Sequence, residues 1–289
     1  MDPGLVCCES EVIQRAYEDP VLLKDIRVLQ TLLQTEDKYM PRHSYFTIFQ
    51  TDIKPYMRKM VAQWMLEVCE EQRCEEEVFP LAINYLDRVL CVKVIHRTSL
   101  QLLGAACMFL SSKLKETCPL SAEKLVVYTD NSIGLQQLMD MESLVLHYLR
   151  WDLSAVTPHD FLEQILSRLQ FDVNQYDRLK RHTQTFIALC CTDCKFMLYP
   201  PSMIAAGCIG AAARGLCSPE GQLDSKLLLR LHKITHIDVD CLRSCQEQVE
   251  ETVSSNLMSL SENSPKTPTK SDDLNEQPTT PTDVRDIHI

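Results

Sequence analysis

Apolar residues recur along most of this chain with the spacing of amphipathic helices, and the pattern divides the sequence into four zones. Residues 1–20 form a short, acidic and weakly periodic N-terminal segment. Two long helical blocks follow at about 21–152 and 157–256, and residues 257–289 are polar and rich in Ser, Thr, Pro and Asp. A segment that cannot bury enough apolar surface to offset its chain entropy does not fold. The pattern therefore predicts an all-α protein with a disordered C-terminal tail.

The two blocks are joined by the sequence WDLSAVTPHDFLEQIL. Thr157 followed by Pro158, just before an apolar-periodic run, is typical of a helix N-cap and first helical position. One helix ending near Arg150 and another starting near Thr157 leave only a short linker.

The order of helices repeats between the blocks. A helix rich in small residues occurs at residues 100–114 (LQLLGAACMFLSSKL) and again at residues 202–216 (SMIAAGCIGAAARGL). Each is preceded by an apolar helix and followed, after a turn with Thr and Asp, by a periodic helix. Because small residues let helices approach closely, both runs are predicted to be central and buried. The chain is thus expected to contain two helical repeats of roughly 100 residues each.

Composition narrows the classes of partner. The formal charge is −11, from 40 acidic and 29 basic residues, whereas nucleic-acid binders need a basic surface to displace counterions from phosphates. The acidic N-terminus resembles no secretory signal. The longest apolar stretch, near residues 102–110, is far short of the roughly 20 residues that span a bilayer. We therefore expect a soluble intracellular protein without nucleic-acid or membrane partners.

The 14 cysteines include one CxxC pair, Cys191 and Cys194. A structural zinc site would need a second pair of ligands at suitable spacing, and none is evident. The pair lies in a helical pattern beside apolar residues, and free cysteine commonly packs as a small buried hydrophobe. We expect reduced thiols in the core and no metal or other cofactor.

Three segments of the first block resemble the helices of a cyclin box. PYMRKMVAQWMLEVCEEQ is similar to the first helix, LAINYLDRVL to the second and LQLLGAACMFLSSKLKE to the third. LVCCE near the start and TPTDVRDI at the end are similar to the D-type cyclins of early G1. The resemblance implies two tandem five-helix cyclin boxes over roughly residues 50–255, preceded by an N-terminal helix. It also implies a regulatory subunit that activates a cyclin-dependent kinase and is not itself an enzyme.

Lys113 and Glu142 are the leading candidates for kinase binding. Both adjoin apolar helices, where an isolated buried charge would be costly. The residues alone are compatible with an internal ion pair or a solvated pair. The resemblance implies that they hydrogen-bond backbone groups of the kinase beside its regulatory helix. That helix is then held inward, so that its glutamate can pair with the ATP-positioning lysine.

Arg58 and Asp87 form a second pair, which the resemblance implies is a structural ion pair between the first and second helices of the first box.

A further set of residues on the first and third helices has two interpretations. The helical spacing of its first four members favours a core-facing stripe, whereas the resemblance implies an exposed groove. That groove would receive short basic-hydrophobic peptides from substrates and kinase-inhibitor proteins. The set comprises Met57, Met60, Val61, Trp64, Glu67 and Gln101.

The N-terminal segment contains an LxCxE pattern, formed by Leu5, Cys7 and Glu9. Side chains alternate along an extended chain, so these three would point the same way. The pattern resembles the segment that docks retinoblastoma-family pocket proteins.

The tail carries three Ser/Thr-Pro sites, at Ser264, Thr267 and Thr280. Thr280 resembles the site whose phosphorylation marks D-type cyclins for export and ubiquitin-dependent destruction, which implies a ubiquitin ligase as partner. Phosphate adds about 1.5–2 negative charges, enough to create a recognition element. We expect the protein in both nucleus and cytoplasm.

Together these features predict a subunit that binds and activates an early-G1 cyclin-dependent kinase and directs it to pocket proteins, promoting the G1/S transition. An enzyme is disfavoured because no phosphate-cradling glycine loop, nucleophile elbow or HExxH motif occurs. The alternative is a cyclin-fold scaffold that binds pocket proteins without activating a kinase, since fold does not determine function.

Overall fold

The structure, a computed structural model, describes residues 19–262 apart from residues 42, 170, 172 and 217–220. All regular elements in this part of the chain are helical. The leading helices are α1 (Pro20–Lys24), α2 (Ile26–Thr35) and α3 (Tyr45–Ile48). The first bundle comprises α4 (Pro55–Glu71), α5 (Val78–Val92), α6 (Leu100–Lys115), α7 (Ala122–Tyr128) and α8 (Leu135–Tyr148). The second comprises α9 (Pro158–Leu166), α10 (Val173–Thr192), α11 (Pro201–Leu216), α12 (Gly221–Thr235) and α13 (Val239–Glu262).

The two small-residue helices occupy equivalent central positions, as predicted. α6 packs against α4, α5 and α8, and α11 packs against α9, α10 and α12. A Cβ atom added at Gly104 would lie 2.9 Å from Val61 Cγ1, and one at Gly207 would lie 2.7 Å from Cys245 Sγ. Only glycine permits these approaches, which explains why both central helices are built from small residues. The predicted all-α fold with two five-helix repeats is confirmed.

The start of the second bundle also follows the sequence signal. α9 begins at Pro158 with Thr157 as its N-cap. The Thr157 amide donates to Asp160 Oδ2 at 2.6 Å, and the Asp160 amide donates to the Thr157 carbonyl at 3.1 Å. This reciprocal arrangement satisfies N–H groups that a helix start otherwise leaves without partners.

The end of the second bundle lies later than predicted. α13 continues to Glu262, six residues past the predicted end of the block at residue 256. The sequence offers no glycine or proline between Val239 and Pro265, so nothing interrupts propagation of the helix. The predicted disordered tail beyond residue 262 lies outside the described residues.

Of the leading helices, α1 and α2 pack on the second bundle, although the sequence pattern grouped them with the first block. Tyr45 of α3 belongs instead to the core of the first bundle. Leu29 of α2 is 1% exposed and belongs to the same apolar core as Leu162 of α9. Glu36, also buried, accepts hydrogen bonds from the Ser202 amide at 2.8 Å and the Ser202 hydroxyl at 2.7 Å. A carboxylate is favoured there because Ser202 lies in the first turn of α11, at the positive end of the helix dipole. The leading segment therefore connects to the second bundle by both apolar and polar contacts.

His159 is a buried titratable group in the first turn of α9. It is 7% exposed, and neither ring nitrogen has a hydrogen-bond partner. Burial lowers the pKa of His159 to about 4. Two nearby charges have smaller effects on this pKa: Glu77 raises it and Lys115 lowers it. The imidazole is therefore neutral in the folded protein at pH values where an unfolded chain would already bind a proton.

This lowered pKa predicts an acid-sensitive stability. As pH falls below the ordinary histidine value of 6.5, the unfolded state binds a proton that the native state excludes. At pH 5.5 the expected loss of unfolding free energy is about 1.4 kcal/mol from this group alone. The loss grows as pH falls towards 4. Urea unfolding at pH 7.5 and 5.5 measures it. His159→Phe should reduce the difference between the two pH values by that amount.

His147 provides the control, because its side chain is exposed on α8. His147→Phe should leave the pH dependence of the wild type intact. An equal pH dependence in the wild type and His159→Phe would show that His159 is not the group responsible.

Candidate functional site

Lys113 and Glu142 meet at the surface of the first bundle. Lys113 lies in the last turn of α6, and its Nζ is 2.6 Å from Glu142 Oε1 on α8. The Lys113 side chain is 40% exposed and that of Glu142 14% exposed. The ammonium also lies 3.6 Å from the centroid of the Phe109 ring, where the π electrons attract a cation. The pair is thus ordered by its own contacts but remains open to solvent on one side.

Exposed apolar side chains occur in the same segments as this pair. Leu114, next to Lys113, is 51% exposed, and Trp151, just after α8, is 74% exposed. Arg150 and Trp151 have φ values of 54° and 59°, in the left-handed region that side chains other than glycine rarely adopt. The sequence analysis missed Trp151; an aromatic residue in a linker was the available signal. We call Lys113, Leu114, Glu142 and Trp151 the Lys113–Glu142 surface.

Arg58 and Asp87 form a buried bidentate pair between α4 and α5. Arg58 Nε lies 2.8 Å from Asp87 Oδ1 and Nη2 lies 2.7 Å from Oδ2. The Tyr45 hydroxyl of α3 donates to the same carboxylate at 2.8 Å. Arg58 Nη1 additionally donates to the carbonyls of Cys191 and Thr192, at the C-terminal end of α10. The pair therefore also connects the first bundle to the second, which the sequence analysis did not anticipate.

The α4 residues predicted as a stripe or groove lie at the border between the core and the surface. Met60 is 63% exposed, and Met57, Val61 and Trp64 are only partly buried. The buried face of α4 is formed by other positions, namely Arg58, Ala62, Met65, Val68 and Cys69. Met57, Val61 and Trp64 nevertheless pack against the edge of the first-bundle core, and Val61 faces Gly104 of α6. Of the four stripe positions Met60 is the one that points to solvent.

The exposed face of α4 continues onto α6. Val61 contacts α6 close to Gly104, one turn after the half-buried Gln101. Trp64 Nε1 donates to the Tyr128 carbonyl at 3.2 Å, which holds the indole in one orientation. Glu67, one turn further along α4, is exposed and supplies negative charge. We call this set the α4 groove, composed of Met57, Met60, Val61, Trp64, Glu67 and Gln101.

The remaining predicted sites divide into two groups. Leu5, Cys7, Glu9, Ser264, Thr267 and Thr280 lie outside the described residues. Cys191 and Cys194 are partly buried at the end of α10, and burial raises the pKa of both thiols.

Within the described ranges no group of three His, Cys, Asp or Glu residues is placed to hold a metal ion. No described helix is long and apolar enough to cross a membrane.

Comparison with known proteins identifies the family. Residues 27–154 match the family model described as the cyclin N-terminal domain, and residues 156–276 match the cyclin C-terminal domain. The chain is 54% identical over 289 residues to the G1/S-specific cyclin-D2 of Xenopus laevis, with 99% of each chain covered. It is also 54% identical over 293 residues to the G1/S-specific cyclin-D3 of Homo sapiens, again with 99% of each covered. The chain belongs to the D-type cyclins.

A solved structure supports the same assignment of fold. The D-type cyclin described here superimposes on a viral cyclin from herpesvirus saimiri with a TM-score of 0.70 at 26% identity, covering 79% of this chain and 97% of the viral one. Cyclins are regulatory subunits of protein kinases. This D-type cyclin is therefore a kinase regulator of the G1/S stage and not itself an enzyme.

Proposed function

We propose that this D-type cyclin binds and activates an early-G1 cyclin-dependent kinase through the Lys113–Glu142 surface and directs it to retinoblastoma-family pocket proteins. The observation that carries the proposal is the ordered, solvent-open ion pair of Lys113 and Glu142 beside exposed Leu114. Charged groups at a protein interface give specificity, while adjacent apolar surface supplies favourable burial.

The ion pair leaves hydrogen-bonding capacity for a kinase. A lysine ammonium has three donors and a carboxylate has two acceptor oxygens, and the contact between Lys113 and Glu142 uses one of each. The remaining donors can reach backbone carbonyls of the kinase, and the remaining oxygen can accept from a backbone amide. Contacts of this kind would hold the regulatory helix of the kinase inward, where its glutamate pairs with the ATP-positioning lysine.

We infer that the α4 groove receives basic-hydrophobic peptides from substrates and kinase-inhibitor proteins. Its apolar side chains are exposed or partly buried, and Glu67 at one end carries a negative charge, which suits a peptide with an arginine near a leucine. Trp64→Ala should weaken binding of a fluorescent Arg-x-Leu peptide by at least about tenfold, because an oriented aromatic anchor is removed. Fluorescence polarisation measures the affinity.

Trp151→Ala is the matched control, because Trp151 is the only other tryptophan of the chain and lies outside the groove. That variant should keep peptide affinity and lose kinase affinity. Peptide binding that survives Trp64→Ala would exclude the groove assignment.

The LVCCE segment is proposed to recruit the pocket protein. In an extended chain Cys7 points to the side of Leu5 and Glu9, while Cys8 points to the opposite side. Cys7→Gly in the purified kinase complex should reduce capture and phosphorylation of a pocket-protein fragment by at least about tenfold, since an apolar anchor is lost. Cys8→Gly should not. Activity towards a short peptide substrate should be unchanged in both variants, and equal capture by Cys7→Gly and wild type would refute this role.

The tail is proposed to control the lifetime and location of the protein. Phosphorylation of Thr280, and also of Ser264 and Thr267, would create a recognition element for a ubiquitin ligase. The protein would move between nucleus and cytoplasm. Thr280→Ala should lengthen the half-life in cells after translation is blocked, whereas Thr279→Ala should not. An unchanged half-life for Thr280→Ala would end this proposal.

A further inference from the structure

A cleft in the first bundle shares no residue with the α4 groove or with the Lys113–Glu142 surface. It opens beside the C-terminal ends of α5 and α8 and has a volume of about 400 Å³, within the range of ligand-binding pockets. Its apolar lining includes Phe49, Val92 and Tyr148, and its basic lining includes His43, Arg88 and Arg150. The cleft thus offers a partner an apolar wall and two arginine side chains. Its acidic lining residue, Asp152, is already bound by Lys38.

Arg88 supplies a cation that the fold leaves incompletely paired. Its Nη2 donates to the Asp152 carbonyl at 3.0 Å, while its buried Nη1 has no hydrogen-bond partner. The Asp152 carboxylate is already engaged by Lys38 Nζ at 2.6 Å and by the Tyr39 hydroxyl at 3.1 Å. Consistent with this arrangement, burial lowers the pKa of Arg88. Because Nη1 is buried in the free chain, a carboxylate in the cleft would interact with Arg88 through the attraction between opposite charges.

The rim of the cleft exposes apolar surface to solvent. Val92 is 53% exposed and Phe49 is 36% exposed. Arg150, also exposed, lies at the same rim. A free inorganic anion would satisfy the arginines but leave this apolar surface in water, so an occupant with both an acidic and a large apolar side chain fits better.

We propose that this cleft docks a short acidic segment of a partner protein, in which a phenylalanine or leucine lies next to aspartate or glutamate. The apolar side chain would pack between Phe49 and Val92, and the carboxylates would reach Arg88 and Arg150. Charge complementarity supports this occupant, because the cleft is cationic on a chain whose net charge is −11. The rest of the protein carries net negative charge and repels acidic peptide segments. Such segments are therefore expected to bind at the cleft in preference to other parts of the surface.

This site would complement the α4 groove. The groove ends at Glu67 and suits basic-hydrophobic peptides, whereas the cleft suits acidic-hydrophobic ones. The same cyclin could then distinguish two classes of partner by the sign of their charge. The inference concerns the free chain and does not depend on kinase activation.

The test uses a fluorescein-labelled peptide of sequence DDFLDD and the full-length chain in fluorescence polarisation. Wild type should bind DDFLDD at least about tenfold more tightly than NNFLNN, because the latter keeps the apolar pair but lacks the carboxylates. Arg150→Glu should remove that preference, and it is expected to fold because Arg150 is exposed. Arg243→Glu, which changes an exposed arginine on α13, should bind DDFLDD as wild type does.

A second readout locates the bound peptide. Cys91 lines the cleft and is partly exposed, whereas the exposed Cys118 lies outside it. Bound DDFLDD should slow iodoacetamide alkylation of Cys91 severalfold at pH 8.5 and leave Cys118 unaffected, as measured by peptide mass spectrometry. Equal binding of DDFLDD and NNFLNN, undiminished binding by Arg150→Glu, or an unprotected Cys91 would each overturn the proposal.

Discussion

Replacing Lys113 and Glu142 together with alanine is expected to abolish co-purification with an early-G1 cyclin-dependent kinase and the phosphorylation that depends on it. The two side chains are ordered against each other and against Phe109, so removal leaves the kinase backbone groups that they would contact without partners. Loss of such a hydrogen-bonded charge pair at an interface costs about 2–5 kcal/mol, or roughly 30-fold to several-thousand-fold in affinity. Surface plasmon resonance and a kinase assay measure the two effects.

The control for this variant is a second ion pair of similar exposure. Arg214 and Glu250 pair at 3.1 Å between α11 and α13, with side chains 53% and 32% exposed. Arg214→Ala/Glu250→Ala should retain kinase binding, and both double variants should keep the helical circular dichroism of the wild type. Retained binding in Lys113→Ala/Glu142→Ala would remove this surface from the kinase interface.

The same experiment separates activator from scaffold. If folded wild type binds no early-G1 kinase but still captures a pocket-protein fragment through LVCCE, the chain is a scaffold built on the cyclin fold. If kinase binding and activity fall together in Lys113→Ala/Glu142→Ala, the chain is an activator that works through the proposed surface.

Asp87→Ala should be the most destabilising single substitution that we predict. It leaves the Arg58 guanidinium, which is 1% exposed, without its carboxylate, and it deprives the Tyr45 hydroxyl of its acceptor. Breaking a buried pair by removing one partner costs about 3–5 kcal/mol. Urea unfolding should show this loss. Asp52→Ala, which removes a partly exposed carboxylate near His96 and Arg97, should change stability by less than about 1 kcal/mol.

A double substitution tests whether the unpaired charge is the cause. Arg58→Met/Asp87→Leu removes both charges and should be more stable than Asp87→Ala alone, because no uncompensated ion remains buried. It should nevertheless be less stable than wild type, since the carbonyls of Cys191 and Thr192 lose the donor that Arg58 provides. A melt of Asp87→Ala that matches wild type would contradict the structural role of the pair.

Predictions from the sequence succeeded where the determining interactions are local. The start of α9 could be located because Thr157, Pro158 and Asp160 form a cap among neighbouring residues. The end of α13 was misplaced because polar composition after residue 256 suggested a tail, although helix propagation stops only when a residue cannot continue it.

The candidate sites show the same division. Motif resemblance identified Lys113, Glu142, Arg58 and Asp87, and the structure brings each pair into contact. Motif resemblance could not show that Met60 is exposed while Met65 is buried, since both lie on one apolar helix. The direction in which a face points depends on where α6 approaches, and that approach occurs at Gly104, some 40 residues away in the chain.

The sequence by itself determined the helical class, the two repeats, the central small-residue helices and the cyclin family, because periodicity, composition and motifs are properties of neighbouring residues. Only the tertiary structure decided that α1 and α2 pack on the second bundle, that Arg58 joins the two bundles, and that Arg88 and Arg150 line one cleft. These features arise from side chains far apart in the chain. Their pairing depends on how whole helices pack, which no local pattern specifies.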